Sequence, residues 1–182
     1  MLWPFNRFKT PAQSQSTIEA IYGMIVAQAR EPGFYASLNV PDTVNGRFDM
    51  LLLHLWMVLR QLRAVDGEIP AQALFDRFCD DMDDNLREMG VGDLTVPKRM
   101  QAFGEAFYGR TAAYDSVLAA GKRELATAIG RNILNDLHPD SAMRIAAYIK
   151  EALAKLAPLT RDTLMQGEWR FPPPPALPAN TN

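Results

Sequence analysis

Cysteine is nearly absent from this sequence. Cys79 stands alone, so no disulfide can form within the chain and nothing points to an oxidising compartment. Histidine is scarce too: His54 and His138 are far apart, and neither has a cysteine, acid or second histidine at ligand spacing, which argues against a zinc site. Long apolar runs are missing. The longest, Met50 to Leu59, covers ten residues and is interrupted by His54, whereas a membrane-spanning helix needs roughly 18 or more. No cationic start followed by an apolar stretch forms a secretory signal. There is no serine-hydrolase elbow and no Walker sequence, and Gly90-Val-Gly92 lacks the third glycine and the preceding strand of a phosphate loop. Cys79 has no base nearby in sequence, and its acidic neighbours disfavour a reactive thiolate. Catalysis has no visible home, and neither a metal nor a cofactor is expected.

What is present is an ordinary globular composition. With 182 residues, 48% hydrophobic and 22% charged, the chain suits one domain that buries a real core. The net charge of -2 hides a gradient: residues 66–96 carry 9 acids against 2 basic groups, while 97–182 carry 11 basic groups against 8 acids. The chain is therefore no general polyanion binder, and DNA is not an expected partner, although local basic faces remain open.

Apolar residues recur at helical spacing almost throughout. Residues 1–15, with Pro4, Pro11 and a Gln/Ser run, read as a flexible leader. Its Trp3, Phe5, Arg7, Phe8 and Lys9 suit a membrane surface or a disordered start. Order is expected from Ser16-Thr-Ile-Glu19, a capping box, opening a first helix that Glu31-Pro32-Gly33 ends. A second helix over about 46–65 has one stripe through Phe48, Leu51, Leu52, Leu55, Leu59 and Leu62 and another through Met50, Leu53 and Met57. Such a helix is buried on both faces, or buried on one and offered to a partner on the other. A third, from Pro70 to Met89, turns Phe75, Phe78, Met82, Leu86 and Met89 inward, with Gly90 as its left-handed terminator. A fourth starts at Pro97 and carries Gly104 and Gly109, which a kink or a close-packed backbone would explain. A fifth covers about 122–134. After the His138-Pro-Asp140 turn, a sixth, capped by Asp140 or Ser141, runs to Pro158. The expectation is an all-α, single-domain bundle of about six helices over 16–170, followed by a Pro-rich tail over 171–182 that packs no core and is extended or disordered.

Two chemical readings need weighing. Asp80-Asp-Met-Asp-Asp84 fits a DDxxD pattern that binds Mg²⁺ in prenyl-chain enzymes, with Asp80, Asp81 and Asp84 as ligands. No second acidic cluster answers it, however, and the same residues form a solvated face opposite the Phe/Met stripe. Recognition has better material. Arginine and tyrosine in the second half are the chemistry of protein hot spots, and also of RNA contact. The candidate partner-binding set is His54, Trp56, Met57, Arg60, Tyr108, Arg110, Tyr114 and Arg131. His54, among leucines, reads by default as a satisfied core or interface histidine, with a pH-sensitive or partner contact as the alternative.

Leu52-Leu-His-Leu-Trp-Met-Val-Leu-Arg60, Leu86-Arg-Glu-Met-Gly-Val-Gly-Asp93 and Phe107-Tyr-Gly-Arg-Thr-Ala-Ala-Tyr-Asp115 together resemble the ubiquinol–cytochrome c chaperone family. Ala128-Ile-Gly-Arg-Asn132, Tyr148 and Gly167-Glu-Trp-Arg170 extend the likeness in the same order. The resemblance implies an all-helical, non-enzymatic chaperone for respiratory complex III whose client is cytochrome b or another subunit of that complex. Mitochondrial members also contact the ribosome and work with a small partner protein. Without a convincing mitochondrial targeting extension, this chain fits a bacterial cytoplasmic member acting as a monomer at the inner face of the membrane, with peripheral membrane contact. An RNA- or ribosome-binding module is the alternative, and a small Mg²⁺-dependent enzyme the next.

Overall fold

The structure, a computed structural model, describes residues 12–176, and the leader's aromatic and cationic residues lie outside that range. Eight helices follow one another: α1 (Ala12–Ala29), α2 (Pro32–Leu38), α3 (Val44–Ala64), α4 (Glu68–Glu88), α5 (Val96–Leu118), α6 (Lys122–Ile133), α7 (Pro139–Leu156) and α8 (Arg161–Gln166). No strand occurs among the described residues. The six long helices are those that the apolar periodicity predicts. Two short ones, α2 and α8, do not follow from it.

Local chemistry explains the boundaries. Thr43 accepts the Gly46 amide through its hydroxyl and starts α3. At the end of α4, Gly90 takes φ +77, its amide bonds Arg87 O at 2.9 Å, and the Val91 amide bonds Leu86 O at 3.0 Å. That is the paired closure of a Schellman motif, which needs the left-handed residue glycine supplies. Three boundary details differ from expectation. Ser16 lies inside α1, which already runs from Ala12, so the capping box does not open the helix. The cap position of α7 is His138, ahead of Pro139, and it makes no side-chain cap bond. Met89 is 62% exposed rather than inward, because it stands at the C-cap where the chain leaves the helix.

The bundle is built around α3. Twelve of its 21 residues are buried, including Met50, Leu53 and Met57 on one stripe and Leu52, Leu55, Leu59 and Leu62 on the other. Both apolar faces are therefore covered within the chain, by α1, α4, α5, α6 and α7. Pairings fix the directions. Asp49 meets Arg110 and Trp56 meets Asp115, so α5 runs parallel to α3. His54 meets Tyr148, and Gln61 reaches Leu159 O, so α7 does the same. The connecting helices α4 and α6 return in the opposite sense, with short links at both ends.

The start of the Pro-rich tail departs from the expectation that it packs nothing. Residues 171–176 form no helix, yet Pro172 is buried and Phe171 packs edge-on to His54 with ring centroids 5.1 Å apart. Gln28 donates to Pro172 O at 2.9 Å, and Arg144 donates to Pro175 O at 3.0 Å and to Ala176 O. A polyproline-type strand exposes carbonyls with no internal partner, and long donors from α1 and α7 take them up.

Candidate partner-binding surface

The centre of the fold is a directed hydrogen-bond chain around His54. Its Nδ1 lies 2.8 Å from Met50 O, a carbonyl that can only accept, so Nδ1 carries the proton. Nε2 is then the acceptor for the Tyr148 hydroxyl at 2.8 Å, and Tyr148 in turn accepts from Gln28 at 3.0 Å. Phe34, Tyr148 and Phe171 surround the imidazole. Complete burial pushes the His54 pKa down to about 4, only partly opposed by the Met50 carbonyl. His54 is a neutral core histidine that joins α1, α3, α7 and the tail.

A second polar cluster lies in the seam between α3 and α5. Asp49 is 7% exposed, and Arg110 Nη2 forms an ion pair with its Oδ1 at 2.6 Å. Burial pushes the Asp49 carboxyl up to about 6, against the opposing pull of the Arg110 charge. Tyr114 is fully buried beside them, and its hydroxyl is raised by burial and then by the Asp49 charge. The Arg110 Nε–H and the Tyr114 O–H are buried there without an acceptor. Each such orphan costs about 1–3 kcal/mol. Further along the seam, Asp115 accepts from Trp56 Nε1 at 3.2 Å and from Arg60 Nη1 at 2.6 Å. Aromatic contacts fill the rest, Phe48 on Phe103 at 4.8 Å and Trp56 on Tyr114 at 5.2 Å between centroids.

The candidate set from the sequence is thus divided. His54, Trp56, Met57 and Tyr114 are all buried, at 2% exposure or less, and present no surface to a partner in this conformation. Arg60, Tyr108 and Arg131 are at the surface, and Arg110 is half-buried at the edge of the seam. The seam draws Trp56, Arg60, Arg110 and Tyr114 together, while Tyr108 packs beside Phe75 and Phe107. Arg131 stands apart on α6. Sequence reasoning passed over Asp49 and Asp115. Asp49 had one local signal, an acid inside a helix whose neighbours are apolar, but its partner is 61 residues away.

Three acids of α4 are engaged in structural contacts. Asp81 accepts from Tyr22 at 2.8 Å, Asp83 pairs with Arg87 at 2.6 Å, and Asp76 accepts from Gln72 at 2.6 Å. Among the described residues, no group of three or more His, Cys, Asp or Glu is placed to hold a metal ion. Burial, helped by Asp76 and Asp80, pushes the Cys79 thiol up to about 12, which keeps it protonated and unreactive. A shallow cleft of about 450 Å³ between α2 and the start of α3 is lined by Arg30, Tyr35, Asp42 and Arg47. Its Arg47 is tied to Asp42 at 2.7 Å. No helix is long and apolar enough to cross a membrane among the described residues.

The geometry defines a class, an all-helical protein whose buried polar groups join helices to one another. Within that class the chain belongs to the ubiquinol-cytochrome C chaperone family, whose model matches residues 36–171, from α2 through α8. It is 28% identical over 144 residues to the ubiquinol-cytochrome-c reductase complex assembly factor 1 of Xenopus laevis, covering 75% of this chain and 72% of that one. It is 30% identical over 152 residues to the mitochondrial protein CBP3 of Saccharomyces cerevisiae, covering 78% of this chain and 44% of the yeast protein. The chain thus spans less than half of the yeast relative, and 49% of the corresponding mouse factor. The crystal structure of the Cbp3 homolog from Brucella abortus superposes with a TM-score of 0.79 at 36% identity, over 87% of this chain and 90% of that one. The fold and the family follow from these likenesses.

Proposed function

We propose that this protein is an assembly chaperone for respiratory complex III, acting by binding and not by catalysis, with cytochrome b as its client. The observation that carries the reading is the family match, which runs unbroken across seven of the eight helices. The relatives' names, assembly factors of ubiquinol-cytochrome-c reductase, supply the complex. The site chemistry agrees. His54 and Cys79 are held in unreactive states by burial, and three acids of α4 are engaged in ion pairs and hydrogen bonds.

The binding surface we infer is the rim of the α3–α5 seam. Arg60 and Arg110 sit there beside the aromatic residues that fill it. An apolar client segment would meet the aromatics, and its polar main chain or acids would meet the arginines. Arg131 and Tyr108 would lie outside this rim as peripheral contacts. We place the protein in the bacterial cytoplasm at the inner face of the membrane, where a cytochrome b chain enters the bilayer.

Deletion of the gene in the source organism tests the reading. The expected result is loss of spectroscopically detectable b-type haem of complex III, with other respiratory complexes retained. Normal complex III in the deletion strain would refute it.

A further inference from the structure

Among the long helices, α5 is the one the core holds least. Only Val96, Phe107 and Tyr114 of its 23 residues are buried, against twelve of 21 in α3 and eight of 18 in α7. Both of its connections contain glycine in a left-handed conformation, Gly90 at φ +77 and Gly121 at φ +136, which is the freedom a hinge requires. Gly104 and Gly109 weaken its interior, and packing does not explain the second, since nothing lies within 4 Å of where a Gly109 Cβ would stand.

The seam beneath α5 is unusual in the same direction. Two buried side-chain donors without an acceptor among the described residues, Arg110 Nε and Tyr114 Oη, lie there beside the Asp49–Arg110 ion pair. Native interiors satisfy nearly all such groups, so the closed seam is the least satisfied interface of the fold. Behind it stand the largest aromatic contacts between α3 and α5, Phe48 with Phe103 and Trp56 with Tyr114.

We propose that α5 is a hinged cover that swings off α3 to admit an apolar helical segment of the client, with the Asp49–Arg110 pair as its latch. The identity of what enters rests on the client-binding reading above, whereas the motion of α5 does not. The orphaned atoms also specify the occupant's chemistry. Two unmet donors, the Arg110 Nε–H and the Tyr114 O–H, stand behind the latch beside the aromatic lining, so the occupant is an apolar segment that brings an acceptor oxygen. A carboxamide or hydroxyl side chain on an otherwise apolar segment satisfies such a set. A buried ion pair of this kind stabilises the closed state poorly while fixing its register, which suits a surface that has to open.

Hydrogen–deuterium exchange on the full chain tests the cover. Amides of residues 96–118 are expected to exchange roughly a hundredfold faster than those of residues 50–62. The double variant Asp49→Leu/Arg110→Met replaces the latch by apolar side chains, and is expected to slow exchange in α5 by about tenfold. Arg110→Ala, which leaves Asp49 uncompensated, is expected to speed it in α5 while α7 stays unchanged. Equal protection of α3 and α5 would overturn the proposal, as would uniform acceleration along the chain in Arg110→Ala. Co-purification of complex III subunits from native membranes separates the two ideas. Fast, latch-dependent exchange with no subunit captured keeps the cover and removes the client; capture with equal protection of α3 and α5 keeps the client and removes the cover.

Discussion

Acidification should weaken this fold through His54, and the size of the effect follows from its surroundings. The imidazole is fully buried and neutral, with Nδ1–H given to Met50 O and Nε2 accepting from Tyr148. Its folded pKa of about 4 lies below the value near 6.5 of an unfolded histidine. For a depressed pKa the stabilisation is complete above the unfolded value and is lost as pH falls toward the folded one. Between pH 7 and pH 4.5 that amounts to about 2.5 kcal/mol. Asp49 acts with the opposite sign. Its carboxyl is raised to about 6, so its contribution is complete below the ordinary carboxyl value and is lost as pH rises through 6. Allowing for its partial solvent access, acidification over the same range returns about 1 kcal/mol there. Urea unfolding at a series of pH values, followed by the fluorescence of the buried Trp56 and Trp169, measures the sum. His54→Leu isolates the histidine. The variant is less stable at every pH, because the Tyr148 hydroxyl loses its acceptor, but the gap to wild type should shrink by about 2.5 kcal/mol as pH falls from 7 to 4.5. A gap that stays constant over this range would refute the neutral, buried assignment of His54.

Other expectations follow from the same contacts. Asp49→Asn removes the carboxyl that titrates near 6 and should flatten its share of the pH dependence of stability between pH 4 and pH 8; urea midpoints at the two pH values, compared with wild type, read this directly. Arg144→Ala removes the donor to Pro175 O and Ser37 O. It should raise exchange and proteolysis in residues 172–176 at a cost of about 1 kcal/mol of global stability. Phe34→Ala opens a cavity against His54 and Tyr148 and should cost about 3–5 kcal/mol in thermal or urea unfolding. Titration calorimetry with Mg²⁺ should give no binding heat, since three acids of α4 are already engaged by Tyr22, Gln72 and Arg87.

The long helices were legible because their apolar periodicity is strong; the double stripe of α3 left open a helix covered on both sides or one offering a face to a partner, and both sides are covered. The short elements were not. Helix α2 exists because Phe34 and Leu38 bury against α3 and α7, and α8 because Leu164 and Trp169 close over the core. The contacts of Phe34 with Tyr148 and of α8 with α1 join residues more than a hundred positions apart, which no local pattern encodes. The tail misled for the same reason: four consecutive prolines argue against a helix, but not against carbonyls captured by Gln28 and Arg144. For the candidate site, residue type carried the chemistry and not the exposure. Trp56 and Tyr114 have the chemistry of a hot spot, and the structure spends it inside the α3–α5 seam. Only Arg60, Tyr108, Arg110 and Arg131 remain available from the expected set while that seam is closed.

The role in complex III assembly is tested most directly by capture of the client itself. Affinity-tagged protein, cross-linked in cells and purified from native membranes, should bring down newly made cytochrome b, with cross-links at Arg60- and Arg110-proximal positions. Recovery of the protein with no complex III subunit, under conditions where the complex is being made, would contradict the account.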